Sequence, residues 1–297
     1  MNTGIFAGKV ALITGSSMGI GRAIATALAQ EGARVVLNGR GREKLAATER
    51  EFLTRGFEVM AVPADIRFSI HCKKLLRETI RRFGRIDMLI NNAGVSSRGP
   101  VEEMANSNIK ILIDTNYTGT AYLTKYAIPY LRKTKGNLIF INSVGGFRGM
   151  PYNSAYTASK AAQAALADAL RIELFDSGIH VGIAYVGYTE NEPEKKILDT
   201  DGHWIYLPKR TNVQLATRES VAKQILKMIR DRTFKVTLTP LGAFTAFMIR
   251  YLPNLSEWLL RLNREKINRD FTTIGGSKVE VQQDSGRKEA ATAHPVK

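Results

Sequence analysis

The chain has 297 residues, of which 44% are hydrophobic, so it can bury a sizeable core, and this excludes a largely disordered protein. Its single cysteine, Cys72, excludes an intrachain disulfide and is typical of a reducing compartment, so a cytoplasmic location is expected. The net charge of +16 suits nucleic acid, an anionic membrane surface, or acidic small molecules and carrier proteins. The basic residues are scattered, and no zinc-finger or RNA-recognition spacing occurs, so neither a nucleic-acid partner nor a metal site is predicted. The first nine residues lack a signal-peptide pattern, and no apolar run reaches the length of a membrane span.

Short apolar strands alternate with amphipathic helices along most of the chain. The predicted strands are Val10–Ile13, Val35–Leu37, Val59–Val62, Met88–Ile90, Leu138–Ile141, Val181–Tyr185 and Lys235–Leu238. The predicted helices are Gly19–Glu31, Arg42–Arg55, Phe68–Phe83, Asn108–Arg132 with a bend before Pro129, Ala155–Ser177 and Arg218–Arg232. This alternation requires parallel pairing with helices on both faces, which predicts the α/β class with a doubly wound sheet of about seven strands.

Composition divides the chain into three parts. Residues 1–239 are predicted to form one α/β domain, with a lid near residues 188–217. Residues 240–270 are predicted to form an amphipathic helical extension. Residues 271–297 are rich in small and charged residues, which predicts a disordered tail.

A glycine-rich segment, Thr14–Gly21, lies between the first predicted strand and the first helix. Glycine lets the backbone turn tightly and approach a pyrophosphate, and the following helix N-terminus offers free N–H groups and partial positive charge. The segment therefore predicts a nucleotide-binding turn. Its predicted cofactor-binding residues are Gly15, Ser17, Met18, Gly19, Ile20 and Gly21.

The second strand is followed by residues that bear on cofactor choice. The segment Asn38–Arg42 lacks the acidic residue that would accept hydrogen bonds from the ribose hydroxyls of NAD. Arg40 can instead pair with the 2′-phosphate of NADP, which favours NADP(H) and leaves NAD(H) as an alternative; the competing interpretation is a solvent-facing arginine. Asp65 follows the third strand, where its carboxylate could accept a hydrogen bond from the adenine amino group. The predicted cofactor contacts after the third and fourth strands are Asp65, Ile66, Asn92, Ala93 and Gly94.

These segments, together with Tyr156–Lys160, resemble the short-chain dehydrogenase/reductase family. Five motifs stand in the family's order between Lys9 and Leu238: the Thr-Gly-x3-Gly-x-Gly turn, Asp65, Asn-Asn-Ala-Gly, Ser143 and Tyr-x3-Lys. The resemblance implies a single Rossmann-type domain with an Asn, Ser, Tyr and Lys catalytic set. Carried over residue by residue, that set is Asn116, Ser143, Tyr156 and Lys160, of which the last two also bind the cofactor, and Gly187 lies at the nicotinamide end.

The chain departs from the family pattern at three places. The Pro-Gly pair that often follows the sixth strand is Val186–Gly187, and the later threonine of that pattern is Asn191. The basic residue usual before the second glycine of the turn is Met18, so the NADP prediction depends on Arg40. The Asp-Gly-Gly that often follows the last strand is replaced by Thr239–Leu241.

The spacing of Tyr156 and Lys160 places both side chains on one face of a helix. A phenol has a pKa near 10, but a neighbouring ammonium lowers that pKa and makes proton exchange feasible at working pH. Ser143 can donate a hydrogen bond to the substrate oxygen as negative charge develops there. Asn116 is expected to hold a water that passes protons toward Lys160. Lys160 is also expected to reach the nicotinamide ribose.

Two segments bear on the substrate and on partners. The lid contains the apolar run Trp204–Leu207 beside Lys209 and Arg210, which favours a bulky or lipid-like substrate, with ordinary packing as the alternative. Apolar residues at helical spacing in Leu241–Leu262, flanked by basic residues, predict two amphipathic helices. They would lie in a membrane interface, or pack on a partner subunit or on the domain itself.

The sequence therefore predicts an NADP(H)-dependent oxidoreductase that interconverts a carbonyl and a secondary alcohol on a hydrophobic substrate. A reductase of 3-oxoacyl groups on an acidic carrier protein is the first alternative, because the basic surface would attract such a carrier. A non-catalytic NADP-sensing or scaffold protein is the second. The family resemblance implies a homodimer or homotetramer through the two long helices. The C-terminal helices favour the dimer.

Overall fold

Seven parallel strands form the central sheet: β1 (Val10–Ile13), β2 (Arg34–Gly39), β3 (Val59–Pro63), β4 (Met88–Asn91), β5 (Asn137–Ser143), β6 (His180–Val186) and β9 (Lys235–Thr237). Their order across the sheet is β3-β2-β1-β4-β5-β6-β9. A separate antiparallel hairpin consists of β7 (Lys196–Leu198) and β8 (Trp204–Tyr206). The computed structural model describes residues 4–190, 192–207 and 215–272, with side chains to residue 268. The strand order reverses between β1 and β4, which confirms the predicted doubly wound fold.

Helices cover both faces of this sheet. They are α1 (Gly19–Gln30), α2 (Arg42–Thr54), α3 (Ser69–Phe83), α4 (Asn106–Ile113), α5 (Gly119–Thr134), α6 (Ser154–Glu173) and α7 (Arg218–Arg230). Successive residues of a strand point to opposite faces, so Ile13 joins the core that contains α1 and α7, whereas Leu12 joins the core that contains α3, α5 and α6. Burial on both faces explains why β1 is apolar at every position.

The long helix predicted at Asn108–Arg132 is interrupted. The chain begins α4 at Asn106, forms a π-helical turn at Asp114–Thr118, and continues as α5 to Thr134. The irregular turn thus precedes α5, and Pro129 lies inside α5 and not at a break. A π turn leaves the helical hydrogen-bond ladder out of register, and such turns are frequent at functional sites. Asn116 lies within this one.

The β7–β8 hairpin was not anticipated, because each of its strands has only three residues. It is attached to the segment after β4. The Leu198 N–H donates to the Ser96 carbonyl at 2.9 Å, and the Asn108 side-chain amide donates to the Asp199 carbonyl at 2.6 Å. The predicted lid is therefore fixed, over this part of its length, above the end of β4. Lys209 and Arg210 lie outside the described residues.

Three helices follow the sheet: α8 (Pro240–Tyr251), α9 (Pro253–Leu262) and α10 (Arg264–Thr272). The first two confirm the amphipathic helices expected from the sequence, and α10 was not predicted. Gly242 is the one buried residue of α8, and none of α9 is buried. Most apolar residues of these helices are therefore not buried on the domain, although Arg148 donates to the Pro253 carbonyl at 3.4 Å and to Ser256 Oγ at 3.2 Å. Contact with a membrane, with a partner subunit or with the domain itself stays a prediction. Within residues 4–190, 192–207 and 215–272, no helix is long and apolar enough to cross a bilayer. The predicted tail from residue 273 onward lies outside the described residues.

Candidate active site

The predicted site residues meet at the carboxyl edge of the sheet. Gly15 follows β1, Arg40 follows β2, Asp65 follows β3, the Asn92–Gly94 segment follows β4, and Gly187 follows β6. Because all seven strands are parallel, their carboxyl ends lie along one edge, where doubly wound folds bind their ligands. Ser143 ends β5 at the same edge, and α6 carries Tyr156 and Lys160 toward it.

The glycine turn between β1 and α1 requires its glycines for two reasons. Gly15 and Gly19 adopt positive φ angles of 63° and 59°, which L side chains rarely adopt. A Cβ at Gly21 would lie 2.4 Å from the Gly15 carbonyl oxygen, so a side chain there does not fit. Asn92 braces the turn from β4, since its side-chain amide donates to the carbonyls of Thr14 and Gly15 at 2.8 and 3.0 Å.

The N-terminus of α1 has no cap from its own sequence. Met18 stands at the N-cap, and the first turn contains no acidic residue. The Gly19 N–H instead donates to Glu192 Oε1 at 2.7 Å, across 173 residues of sequence. A Cβ at Gly19 would have no described atom within 4 Å, so this turn is open to a ligand. An N–H that already binds an anionic oxygen fits the pyrophosphate of a dinucleotide.

Two arginines lie at the predicted adenosine end. The Arg40 guanidinium lies 5.6 Å from the centre of the Trp204 ring, which connects β2 to the hairpin. Asp65 forms an ion pair with Arg67 at 2.6 Å, a residue that the sequence reasoning did not single out. Burial acts to raise the pKa of Asp65, but the hydrogen bonds and charge of Arg67, together with Arg40, hold that pKa below its usual value. Asp65 is therefore an ionised carboxylate between two guanidinium groups.

Lys160 is buried at the centre of the site. Its Nζ donates to the Ile141 carbonyl at 2.9 Å, and Nζ would lie 3.7 Å from a Cβ placed on Gly94. Burial, and the charge of Lys195 in the lid, lower the pKa of Lys160 to about 8. The structure thus places an amine that titrates near neutral pH directly beneath the Asn-Asn-Ala-Gly segment.

Tyr156 and Ser143 face the same point near Gly145. A Cβ on Gly145 would lie 3.5 Å from Ser143 Oγ and 3.7 Å from Tyr156 Cε1. Ser143 Oγ accepts a hydrogen bond from the Gly145 N–H at 3.1 Å, which fixes the oxygen and leaves its hydrogen for an acceptor. Tyr156 is half-buried and packs against an apolar cluster that includes Leu198 and Trp204 of the hairpin. The Ser143 hydroxyl, the Tyr156 ring and an apolar cluster therefore border one space.

Asn116 is held in place by several hydrogen bonds, and its expected role in a proton relay stays a prediction. Its side chain binds the Val95 backbone in both directions, at 2.8 and 2.9 Å, and donates to Ser159 Oγ at 2.8 Å. Its main-chain oxygen, in the π turn, accepts from Gln163 Nε2 at 3.2 Å. The side chain thus holds the segment after β4 against α6, and the main-chain carbonyl makes a second contact with the same helix through Gln163.

Gln163 was missed by the sequence reasoning. It is fully buried, and its Oε1 accepts from Asn142 Nδ2 at 3.0 Å and lies 3.5 Å from Lys160 Nζ. It therefore links the π turn, β5 and the catalytic amine. A signal existed, because a polar residue three positions after Lys160 interrupts an alanine-rich helix face.

Two of the three departures from the family pattern, at Val186–Gly187 and at Thr239–Leu241, meet in the region after β6. Gly187 lies against Thr239, since a Cβ on Gly187 would be 2.1 Å from Thr239 Oγ1. The residues that replace the Asp-Gly-Gly pattern thus fix the glycine that was predicted at the nicotinamide end. Asn191 lies outside the described residues. Glu192, next in sequence, reaches the glycine turn as described above.

Fold and site together define a dinucleotide-binding α/β oxidoreductase. The family model described as short chain dehydrogenase matches residues 9–202. The chain is also similar to "11-beta-hydroxysteroid dehydrogenase A" of Sesamum indicum, with 33% identity over 264 residues, 86% of this chain and 75% of that protein. The protein belongs to the short-chain dehydrogenase/reductase family.

Solved structures agree on the fold. A short-chain dehydrogenase/reductase from Burkholderia phymatum in complex with NAD superimposes with a TM-score of 0.74 at 23% identity, covering 84% of this chain and 95% of that chain. A metagenomic short-chain oxidoreductase in complex with NADP gives a TM-score of 0.65 at 29% identity, covering 78% and 97%. The protein is thus an oxidoreductase that acts on hydroxyl or carbonyl groups of small molecules with a nicotinamide cofactor.

Proposed function

We propose that the protein uses NADP(H) to interconvert a bulky hydrophobic ketone and its secondary alcohol, with Tyr156 exchanging the proton at the substrate oxygen. The observation that carries the proposal is the placement of Ser143 and Tyr156 beside Gly145, and of Lys160 Nζ beside Gly94, at the carboxyl edge of the sheet. Residues 1–239 would form the catalytic unit and residues 240–270 an appended surface.

The three side chains have separate tasks in this proposal. Ser143 donates a hydrogen bond to the substrate oxygen, where negative charge grows during reduction. Tyr156 gives its proton to that oxygen, and the Lys160 ammonium lowers the phenol's pKa, so the proton moves at neutral pH. Lys160 also binds the nicotinamide ribose. The bound nicotinamide supplies or accepts the hydride. Asn116 fixes the segment after β4 through its contacts with Val95 and Ser159.

Arg40 supports NADP(H) over NAD(H). No acid stands at the end of β2, and Arg40 and Arg67 put two guanidinium groups at the adenosine end, with Asp65 balancing one of them. One positive charge is left over for a 2′-phosphate. The NADP complex among the similar structures accords with this choice, although the NAD complex keeps NAD(H) as the second cofactor.

The substrate preference is supported by the wall around Tyr156. Buried side chains there come from the segment after β4, from α4, from α6 and from the hairpin: Val95, Met104, Leu112, Ala155 and Leu198. Trp204 packs on the same cluster. Such a lining removes apolar surface of a ligand from water at about 25 cal/mol per Å². A relative named as a hydroxysteroid dehydrogenase fits a substrate of this kind.

Initial rates of NADPH and NADH oxidation with a panel of ketones test the proposal. The panel comprises a steroid ketone, a long-chain aliphatic ketone, a small ketone and a 3-oxoacyl thioester. We expect NADPH with the steroid or long-chain ketone to give the highest kcat/KM. A preference for the 3-oxoacyl thioester would support the alternative function as a reductase of 3-oxoacyl groups on a carrier protein. Equal rates with NADH would contradict the role of Arg40.

The C-terminal helices support contact with an anionic membrane surface. Eight large apolar side chains of α8 and α9 are exposed, together with Leu252 between the two helices: Leu241, Phe244, Phe247, Tyr251, Leu255, Trp258, Leu259 and Leu262. Arg250, Arg261, Arg264 and Lys266 accompany them. An apolar face with basic flanks suits the interface of an acidic bilayer, from which a hydrophobic ketone could enter.

Flotation with vesicles tests the membrane contact. We expect the protein to float with phosphatidylcholine vesicles that contain phosphatidylserine, and Trp258→Glu to abolish flotation. Ile70→Glu is the matched control, because Ile70 is an exposed apolar residue on α3, away from this surface. Absence of flotation of the wild-type protein at low salt would end the proposal.

A homodimer is the proposed assembly. Ile172 and Phe175, at the carboxyl end of α6, are 72% and 76% exposed, which leaves apolar area for a second subunit. Light scattering after size exclusion is expected to give twice the monomer mass for the wild type and the monomer mass for Phe175→Glu. A monomeric wild-type protein at micromolar concentration would contradict the dimer.

A further inference from the structure

The Glu192 carboxylate lies at the N-terminus of α1, beside the glycine turn. Its Oε1 accepts from the Gly19 N–H and from Arg218 Nη1, both at 2.7 Å, and its Oε2 lies 3.9 Å from Lys44 Nζ. The side chain is 16% exposed, so this contact is largely shielded from water. An anion is therefore already bound where the glycine turn offers its N–H group.

Arg218, which binds the Glu192 carboxylate, has a donor group to spare. It opens α7 on the side of α1, and its Nε is buried without a hydrogen-bond partner in the described part of the chain. A guanidinium presents its donors as a planar fork that matches two oxygens of one phosphate, whereas Glu192 engages one of its nitrogens. The Arg218 guanidinium therefore has a further N–H donor, at Nε, that Glu192 does not bind.

We propose that Arg218 is a ligand of the dinucleotide's pyrophosphate and that Glu192 must leave the glycine turn for the dinucleotide to bind. The proposal rests on the nicotinamide-binding role given above and adds to it a residue pair of this chain. The carboxylate and a phosphate cannot both lie within hydrogen-bond distance of the Gly19 N–H. Removing the carboxylate therefore removes a competitor, and removing the guanidinium removes an attraction.

The two residues require separate variants, because Arg218→Gln alone both weakens the phosphate site and loosens Glu192. We expect Glu192→Gln to lower the Kd of NADPH about fivefold, since a neutral amide oxygen binds the Gly19 N–H and Arg218 more weakly than a carboxylate does. We expect Arg218→Gln, introduced into Glu192→Gln, to raise that Kd about tenfold, for the same type of contact with the phosphate. Both changes apply equally to NADH, because the two cofactors share the pyrophosphate.

Matched controls are present in the same elements. Glu194→Gln removes a carboxylate that binds Lys44 at 2.5 Å and makes no hydrogen bond to the glycine turn among the described contacts. Arg230→Gln removes the guanidinium at the other end of α7, which is paired with Asp231. Each control is expected to change the Kd less than twofold. Thermal unfolding of every variant accompanies the titrations, so that a loss of folding is recognised.

Titration of tryptophan fluorescence with NADPH, NADH and inorganic pyrophosphate decides among the outcomes. An unchanged or higher Kd in Glu192→Gln would overturn the displacement. An unchanged Kd when Arg218→Gln is added to Glu192→Gln would overturn the ligand role and leave Arg218 as an anchor for Glu192. If the wild-type protein binds neither dinucleotide while Glu192→Gln also fails to bind, the proposed function fails with it. Tighter pyrophosphate binding by Glu192→Gln is expected with either cofactor preference.

Discussion

Replacing Lys160 by methionine is expected to stabilise the protein at neutral pH while it abolishes turnover. The amine is buried, it hydrogen-bonds to the Ile141 carbonyl, and no carboxylate is paired with it among the described ion pairs. A methionine of similar length fills the space without a charge. The change removes the group that lowers the phenol's pKa and binds the ribose, so activity is lost.

The magnitude follows from the pKa of Lys160, which burial and Lys195 lower from 10.5 to about 8. Because the folded-state pKa is the lower one, the folded protein binds fewer protons than the unfolded chain between pH 8 and 10.5, and stability rises with pH in that window. Below pH 8 the full penalty is present, about 3 kcal/mol at 1.36 kcal/mol per pKa unit. Losing the hydrogen bond to Ile141 costs about 1 kcal/mol, so the net gain at pH 7 is about 2 kcal/mol.

Urea unfolding of the wild type and Lys160→Met at several pH values between 7 and 10 measures this difference. The gap between the two proteins is expected to be largest at pH 7 and to shrink as pH rises, since other titrating groups are common to both. A variant that is less stable than the wild type at pH 7, or a gap that does not change with pH, would refute the account of Lys160 as a buried amine without a carboxylate partner.

Three further changes test the remaining parts of the site. Tyr156→Phe is expected to keep folding and the Kd of NADPH while turnover falls to background; near-wild-type activity would exclude Tyr156 as the proton donor. Arg40→Glu is expected to raise the Kd of NADPH by about tenfold or more and to spare NADH, with Arg55→Glu at the far end of α2 as the control; parallel losses with both cofactors would contradict the 2′-phosphate contact. Gln163→Glu places a carboxylate beside Lys160, with Lys195 the other charge acting on that amine. It should raise the pKa of Lys160 and move the alkaline limb of the kcat profile for ketone reduction to higher pH. An unchanged limb would show that residue 163 does not influence the charge of Lys160.

The fold and the catalytic elements followed from local patterns. Apolar runs alternating with amphipathic helices predict the seven strands to within two residues at each end, because burial on both faces leaves little freedom in composition. The glycines of the turn were predicted for the same reason that the structure requires them, namely positive φ and close backbone approach. The Tyr156 and Lys160 pair was identified through the family resemblance, and helical spacing adds that both side chains lie on one face of α6.

Contacts between distant segments could not be predicted. Glu192 caps α1 from 173 residues away, and neither the sequence around Gly19 nor the sequence around Glu192 contains a pattern that predicts this contact. The π turn at Asp114–Thr118 contains no glycine or proline, so the helical spacing of apolar residues predicts one continuous helix there. The hairpin of β7 and β8 consists of strands too short for periodicity to identify. These features depend on tertiary packing, and they lie at the site.

The amides around Lys160 have a common explanation. Asn116, Asn142 and Gln163 are buried and neutral, and Gln163 Oε1 and the Ile141 carbonyl are the acceptors nearest the amine. A carboxylate in any of these positions would raise the pKa of Lys160 and would offset the effect of its positive charge on the phenol. Amides accept hydrogen bonds without adding charge, and because these amides also bind one another or the backbone they hold the amine in one place. The stability given up by burying an amine without a carboxylate partner is thus the condition for a positive charge that acts on Tyr156 near neutral pH.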